Sequence, residues 1–127
     1  MYISTLIFLA VSAYMPATLA DGGYLGSCNN LRAYAGDANH RGLNADCRNA
    51  AGTYVDTSIN VANCYTNNNG VIGCSGPGGG AGASCDLYVQ DDYATFGGYC
   101  NNNAGQRVYT AAAMNSCIGN QNGVLHC

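Results

Sequence analysis

The sequence contains no Lys, no Glu and no Trp, and only two Pro and two Phe in 127 residues. Four Arg and seven Asp carry all of its charge, a formal −3 at pH 7. A nucleic-acid binder needs a basic stripe to displace phosphate counterions, and four Arg without a single Lys do not build one. With Glu and Lys missing, any general acid/base pair would have to come from Asp and His. After residue 20 no apolar run is long enough to span or enter a bilayer. What is abundant points the other way: 18 Gly and 16 Asn, poor helix formers and good turn formers, together with ten Tyr. The composition predicts a mainly β protein of short strands and turns.

Residues 1–20 read as an export signal. Ile3 to Tyr14 is mostly apolar, Pro16 breaks the run, and Thr18-Leu19-Ala20 offers small residues for cleavage. No Lys or Arg precedes the apolar run, and the competing reading is a buried N-terminal strand or helix. Cleavage would leave residues 21–127, about 107 residues, suited to one small domain in a secreted, extracellular protein.

Eight cysteines follow the signal: Cys28, Cys47, Cys64, Cys74, Cys85, Cys100, Cys117 and Cys127. An even count in a small exported chain reads as disulfides before metal, and no CxxC knuckle is present. Their steps are 19, 17 and 10 from Cys28, then 15, 17 and 10 from Cys85. Laid over one another without a gap, 47–74 and 100–127 agree at 12 of 28 positions, which makes the chain a tandem repeat. The matches include Asn49/Asn102, Val55/Val108, Thr57/Thr110, Asn67/Asn120, Asn69/Asn122 and Gly70/Gly123. Repeat one spans 24–74 and repeat two 85–127, joined by a Gly-rich linker, 75–84, flexible by composition.

Each repeat ends in a hairpin signal, Asn67-Asn68-Asn69-Gly70-Val71 and Asn120-Gln121-Asn122-Gly123-Val124. Read as a three-residue loop with Gly in the left-handed position, the turn sets 67 opposite 71 and 120 opposite 124. That register places Cys64 across from Cys74 and Cys117 across from Cys127, and predicts these two pairs as cross-strand bridges. Cys28–Cys47 and Cys85–Cys100 then remain as loop closures within each repeat. Each closed loop of this length contributes ~3 kcal/mol, help that a core this small needs.

With this framework the sequence resembles the cyanovirin-N homologues, a family of small lectins. The family repeat runs from one Cys to a second, then through a Ser-Ile-Asp/Asn-Leu segment to an Asn-x-Asp-Gly-x-Leu hairpin. Here Cys47 leads to Thr57-Ser58-Ile59-Asn60-Val61 and Asn67-Asn68-Asn69-Gly70-Val71-Ile72. Cys100 leads to Ala112-Ala113-Met114 and Asn120-Gln121-Asn122-Gly123-Val124-Leu125. Ala112 and Ala113 depart from the family pattern, as do Asn69 and Asn122 where it has Asp, and the hairpin cysteines where it is usually apolar.

The resemblance implies a pseudo-symmetric fold of three-stranded sheets and hairpins with short helical turns. It also implies metal-free binding of mannose-rich oligosaccharide or glycoprotein glycans at two sites, each joining the start of one repeat to the hairpin of the other. By position, one site takes Gly26, Ser27, Arg48, Asn49 and Ala50 with Asn120, Gln121 and Asn122. The second takes Ala83, Ser84, Asn101, Asn102 and Asn103 with Thr66, Asn67, Asn68 and Asn69, and is the richer in amides. An amide both donates and accepts, as vicinal hydroxyls do, so such clusters can read a sugar without charge. Shallow polar sites of this kind bind in the ~μM to mM range singly, and two of them add avidity.

Simpler roles stand beside these. Asn69-Gly70 and Asn122-Gly123 suit turns, 101–103 suits a solvated loop, and Arg48 suits an ion pair with an Asp. The tyrosines, among them Tyr24, Tyr54, Tyr65, Tyr88, Tyr99 and Tyr109, read as strand and core residues. Asp91 and Asp92 are adjacent and would point to opposite faces of a strand, His40 lies in the insertion of repeat one, His126 sits between hairpin residues with no orienting acid in view, and no nucleophile motif occurs. The expectation is therefore a secreted lectin, not an enzyme, with no cofactor, no nucleic acid and no membrane insertion. It would be a monomer or a domain-swapped dimer. The alternative is a secreted disulfide-rich structural or host-interaction protein that keeps the scaffold without binding sugar.

Overall fold

A computed structural model describes residues 22–33 and 41–127. The expected export segment, 1–20, and His40 lie outside the described residues. Ten strands run in the order β1 (Cys28–Ala33), β2 (Gly42–Arg48), β3 (Tyr54–Asn60), β4 (Tyr65–Asn68), β5 (Val71–Cys74), β6 (Cys85–Val89), β7 (Thr95–Asn101), β8 (Arg107–Ala113), β9 (Gly119–Gln121) and β10 (Val124–His126). The described residues contain no α-helix. Four single 3-10 turns, such as Val61–Cys64 and Met114–Ser116, link the strands. The fold is mainly β, as the Gly- and Asn-rich composition requires.

β1-β2-β3 and β6-β7-β8 are antiparallel three-stranded sheets, and β4-β5 and β9-β10 are hairpins. Residues alternate across each sheet: Leu43, Ala45 and Cys47 point inward from β2, Phe96 and Cys100 from β7, and Leu87 and Val89 from β6. Each hairpin leaves its own repeat and lies against the other, β5 beside β8 and β10 beside β3. A threonine makes each junction. Thr110 Oγ1 accepts from Ile72 N at 3.1 Å, and Thr57 Oγ1 accepts from Leu125 N at 3.1 Å. The rings of Tyr65 and Phe96, one from each repeat, meet at 5.6 Å within one shared core.

The hairpins correct the expected loop. Asn67 pairs with Ile72 and Asn68 with Val71, so the loop is the two residues Asn69-Gly70. Both have positive φ, 52° and 91°, as in a type I′ turn, and Asn122-Gly123 repeats the pattern at 52° and 88°. Gly70 has no room for a side chain, since an added Cβ would lie 2.5 Å from Val108 Cγ2. At Gly123 the same clash falls on Val55 Cγ2 at 2.5 Å.

Two of the four expected disulfides are therefore wrong. A loop shorter by one residue shifts the register by one, and Tyr65, not Cys64, faces Cys74. Cys64 closes the 3-10 turn before β4, where it bonds instead to Cys127, with Cα atoms 5.9 Å apart. Cys74 bonds to Cys117 at 5.7 Å. Cys64–Cys74 and Cys117–Cys127 do not exist. The turn cysteine of each repeat is bonded to the hairpin-end cysteine of the other. Cys28–Cys47 and Cys85–Cys100 pair within the sheets, directly across β1-β2 and β6-β7.

The Gly-rich stretch is anchored. Ser75 N donates to Cys64 O at 2.8 Å, Gly79 N donates to Asn63 O at 2.7 Å, and Ala81 is buried.

Candidate functional site

Because each hairpin crosses to the other repeat, its tip meets the loop between the second and third strands of that repeat. Asn67 Nδ2 donates to Ser84 Oγ at 2.9 Å and to Asn101 O at 2.8 Å, while its Oδ1 accepts from Gly70 N at 2.8 Å. Asn69 Oδ1 accepts from Asn103 N at 2.8 Å. The other half repeats this arrangement. Asn120 Nδ2 donates to Ser27 Oγ and to Arg48 O, both at 2.9 Å, and its Oδ1 accepts from Gly123 N at 2.8 Å. Asn122 Oδ1 accepts from Ala50 N at 2.8 Å. Both sets of residues named from the sequence are thus brought together, at two places.

Many of those groups are spent in bringing them together. Asn67 and Asn120 have both amide hydrogens engaged, which makes them tethers between repeats. Asn102 Oδ1 accepts from Ala104 N and Gln106 N, and Asn49 Oδ1 accepts from Ala51 N and Thr53 N, so each closes its own loop. Asn101 Oδ1 accepts from Arg107 at 3.1 Å. Among the described residues, the side chains of Thr66, Asn68 and Asn103 at one site, and of Arg48 and Gln121 at the other, form no hydrogen bond or ion pair. All five residues are exposed. Arg48 does not take the ion pair that its charge suggested. The outcome is a floor of hydrogen-bonded amides with three polar side chains standing free above it at one site and two at the other.

The family model for the CVNH domain matches residues 24–126. The chain belongs to the CVNH family. Solved CVNH structures share its fold. A MoCVNH3 variant (Mo0v) in complex with (N-GlcNAc)4 superposes with a TM-score of 0.65 at 20% identity, covering 84% of this chain and 97% of that one. The CVNH protein of Gibberella zeae does so at 0.63 and 25%, covering 82% and 95%. Microvirin, solved as a mannobiose complex, does so at 0.55 and 17%, covering 80% and 94%. No curated protein matches the chain.

Asp92, Tyr65 and Tyr24 are titratable groups that this CVNH chain uses in its structure. Asp92 accepts from the backbone N–H groups of Ala94 and Thr95 and from the Thr95 hydroxyl, which closes the turn between β6 and β7. Those bonds, the Ala94 N–H foremost, hold its carboxyl below the usual range. Burial pushes the Tyr65 phenol up to about 12 and raises that of Tyr24, whose hydroxyl donates to Tyr93 O at 2.7 Å. Among the described residues, no three of His, Cys, Asp and Glu converge on a point that could hold a metal ion.

Tyr24 and Tyr65 are core residues as expected, but Tyr88, Tyr99, Tyr109 and Tyr54 are not. The signal was in the alternation. Tyr88 sits between inward Leu87 and Val89, and Tyr99 precedes inward Cys100, so period two turns both to solvent.

Proposed function

We propose that this protein is a secreted, metal-independent lectin that binds mannose-containing oligosaccharides at the two cross-repeat clusters. The observation that carries this reading is the construction of those clusters. Asn67 and Asn120 fix the floor, so Thr66, Asn68 and Asn103, or Arg48 and Gln121, are presented without having to order the backbone on binding. Thr66, Asn68 and Asn103 offer donors and acceptors without charge, which matches a neutral hydroxylated ligand, and Arg48 adds a single cationic donor set at the other cluster. The glycan complexes of two similar proteins, one with (N-GlcNAc)4 and one with mannobiose, support oligosaccharide as the ligand class. No acid/base pair is presented at either cluster, so binding without turnover is the expected chemistry.

A glycan array probed with the oxidised protein in EDTA tests the reading. Signal on mannose-terminated structures that Asn68→Ala and Gln121→Ala each weaken by ~1 kcal/mol, without loss of thermal stability, supports it. A blank array from folded protein supports a second reading, a disulfide-rich interaction protein on a lectin scaffold. That second reading rests on the number of asparagines spent in loops and tethers.

A further inference from the structure

The outward face of the β6-β7-β8 sheet adjoins one cluster at Asn101 and carries, beyond it, three tyrosines that neither cluster includes. Tyr88, Tyr99 and Tyr109 are 44%, 52% and 57% exposed. Tyr99 and Tyr109 are cross-strand partners, with ring centroids 5.5 Å apart and planes at 70°, so the two rings make a corner. Tyr88 pairs with Gly97, two residues before Tyr99 on β7, and so stands diagonally from Tyr99 at roughly 7–8 Å. Gly97 and its partner Ala111 add no bulky side chain to the row beside them. The charged side chains recorded at this face are Asp86 and the two arginines that pair with it, Arg107 and, at 3.8 Å, Arg41. Arg107 Nη1 also donates to Asn101 Oδ1.

We infer that this face is a further carbohydrate site, and that it takes the C–H face of a neutral β-1,4-linked chain of gluco-configured pyranoses. An aromatic face is the negative side of a quadrupole, and the carbons of a pyranose that bear hydroxyls present C–H bonds polarised positive. A ring whose substituents are all equatorial exposes a flat C–H face that a tyrosine can cover. An axial hydroxyl obstructs the face on which it stands, whereas an all-equatorial ring can stack by either face. The Tyr99–Tyr109 corner holds one sugar by its face and its edge, and Tyr88 is spaced for the next. The three rings are uncharged and Asp86 beside them is held by two arginines, so the tyrosine row offers no free carboxylate and favours an uncharged ligand.

Size separates this occupant from a protein. Three half-exposed tyrosines offer roughly 300 Å² of ring surface, well short of the ~800 Å² per partner in a stable protein interface. That area suits two or three sugar rings.

Titration with cellohexaose, followed by amide chemical shifts and tyrosine fluorescence, tests the site. Cellohexaose contains no mannose, so its outcome is separate from that of the array. Saturable shifts centred on residues 86–88, 97–99 and 109–111 are expected. Tyr99→Ala and Tyr109→Ala should each weaken binding by at least roughly tenfold, Tyr99→Phe should stay within about twofold because stacking does not need the hydroxyl, and Asn68→Ala should bind as well as the native chain. If Tyr99→Ala does not fold, Tyr88→Ala, outside the ring pair, carries the same test. The inference is overturned by no shift up to ~10 mM sugar, by shifts confined to the 66–69 or 120–122 tips, or by affinity that the tyrosine variants leave unchanged. A concentration-dependent dimer that Tyr99→Ala abolishes also overturns it.

Discussion

The two three-stranded sheets share strand order and register between their second and third strands, yet they face solvent with opposite chemistry. In the β1-β2-β3 sheet the outward row is Asp46 opposite Asp56, and Arg32 reaches both, at 3.4 and 2.5 Å. Asn30 and Asn44 donate to the same two carboxylates. In the β6-β7-β8 sheet Tyr99 and Tyr109 occupy the corresponding places, and Arg107 is turned aside to Asp86. Where the two repeats are identical, the residues hold the halves together: Asn67/Asn120 tether the tips, Thr57/Thr110 join the hairpins, and Gly70/Gly123 pack on Val108/Val55. The fold therefore demands its residues twice at the crossing and leaves the outward faces free to differ. One face became a charged network and the other an aromatic surface.

The comparison depends on two halves that exchange hairpins, so the largest effect comes from cutting the bonds between them. The ring shared by Cys64–Cys127 and Cys74–Cys117 is about 20 residues long, because their separations are 63 and 43. Opening either bridge by paired Cys→Ser substitution should cost ~3 kcal/mol, and opening both ~7 kcal/mol. The latter is comparable with the whole stability of a small domain. Denaturant titration of the two double variants and the quadruple variant checks this; equal, small losses in all three would mean that the crossing holds without the bonds.

Tethers come next, and here the halves should behave alike. Asn67→Ala and Asn120→Ala each leave Ser and backbone partners unmatched and should lose ~1–3 kcal/mol. Asn68→Ala and Gln121→Ala should change stability by less than ~0.5 kcal/mol. Thermal unfolding of the four variants separates tether from free side chain, and unequal losses at Asn67 and Asn120 would break the symmetry of the two tethers.

The outward faces should then differ in their response to salt. Arg32→Ala leaves Asp46 and Asp56 facing each other across the strands and should cost ~0.5–1 kcal/mol at low ionic strength, for a pair largely open to water. The loss should shrink as salt rises. Tyr109→Ala on the other face should show no such salt dependence, as urea titrations at two ionic strengths will test.

The smallest effects are those of pH. The folded Asp92 carboxyl titrates below its unfolded value, so its stabilisation is present above the usual carboxylate range and is lost as pH falls through the folded value. Asp92→Asn should flatten the acid limb of the stability curve. Tyr65 titrates above its ordinary value of 10.0, at about 12, so its contribution is present below pH 10 and is lost as pH rises towards 12. Tyr24 shifts in the same direction. Unfolding monitored across both limbs, with Asp92→Asn beside the native chain, tests the two signs.

Much of the fold was legible in the chain, and for local reasons. Gly and Asn specified turns and the spacing of cysteines exposed two repeats, whereas Cys28–Cys47 and Cys85–Cys100 were correct only as the remainder of a hairpin register that was itself wrong. The candidate clusters were legible by position, but not the division of labour inside them. Asn67, Asn68 and Asn69 look alike in sequence, yet Asn67 is a tether, Asn69 is a turn residue with a bond to Asn103, and Asn68 stands free. That difference depends on where the other repeat comes to lie.

What the sequence determined by itself was therefore the strand-and-turn content, the duplication and the places where the chain reverses, because each is set by residues a few positions apart. Only the tertiary structure decided which cysteine meets which across 43 and 63 residues and which amides are consumed. A hairpin loop of two residues instead of three changes every facing pair on its strands. The crossing of the hairpins then brings together groups that no local pattern connects.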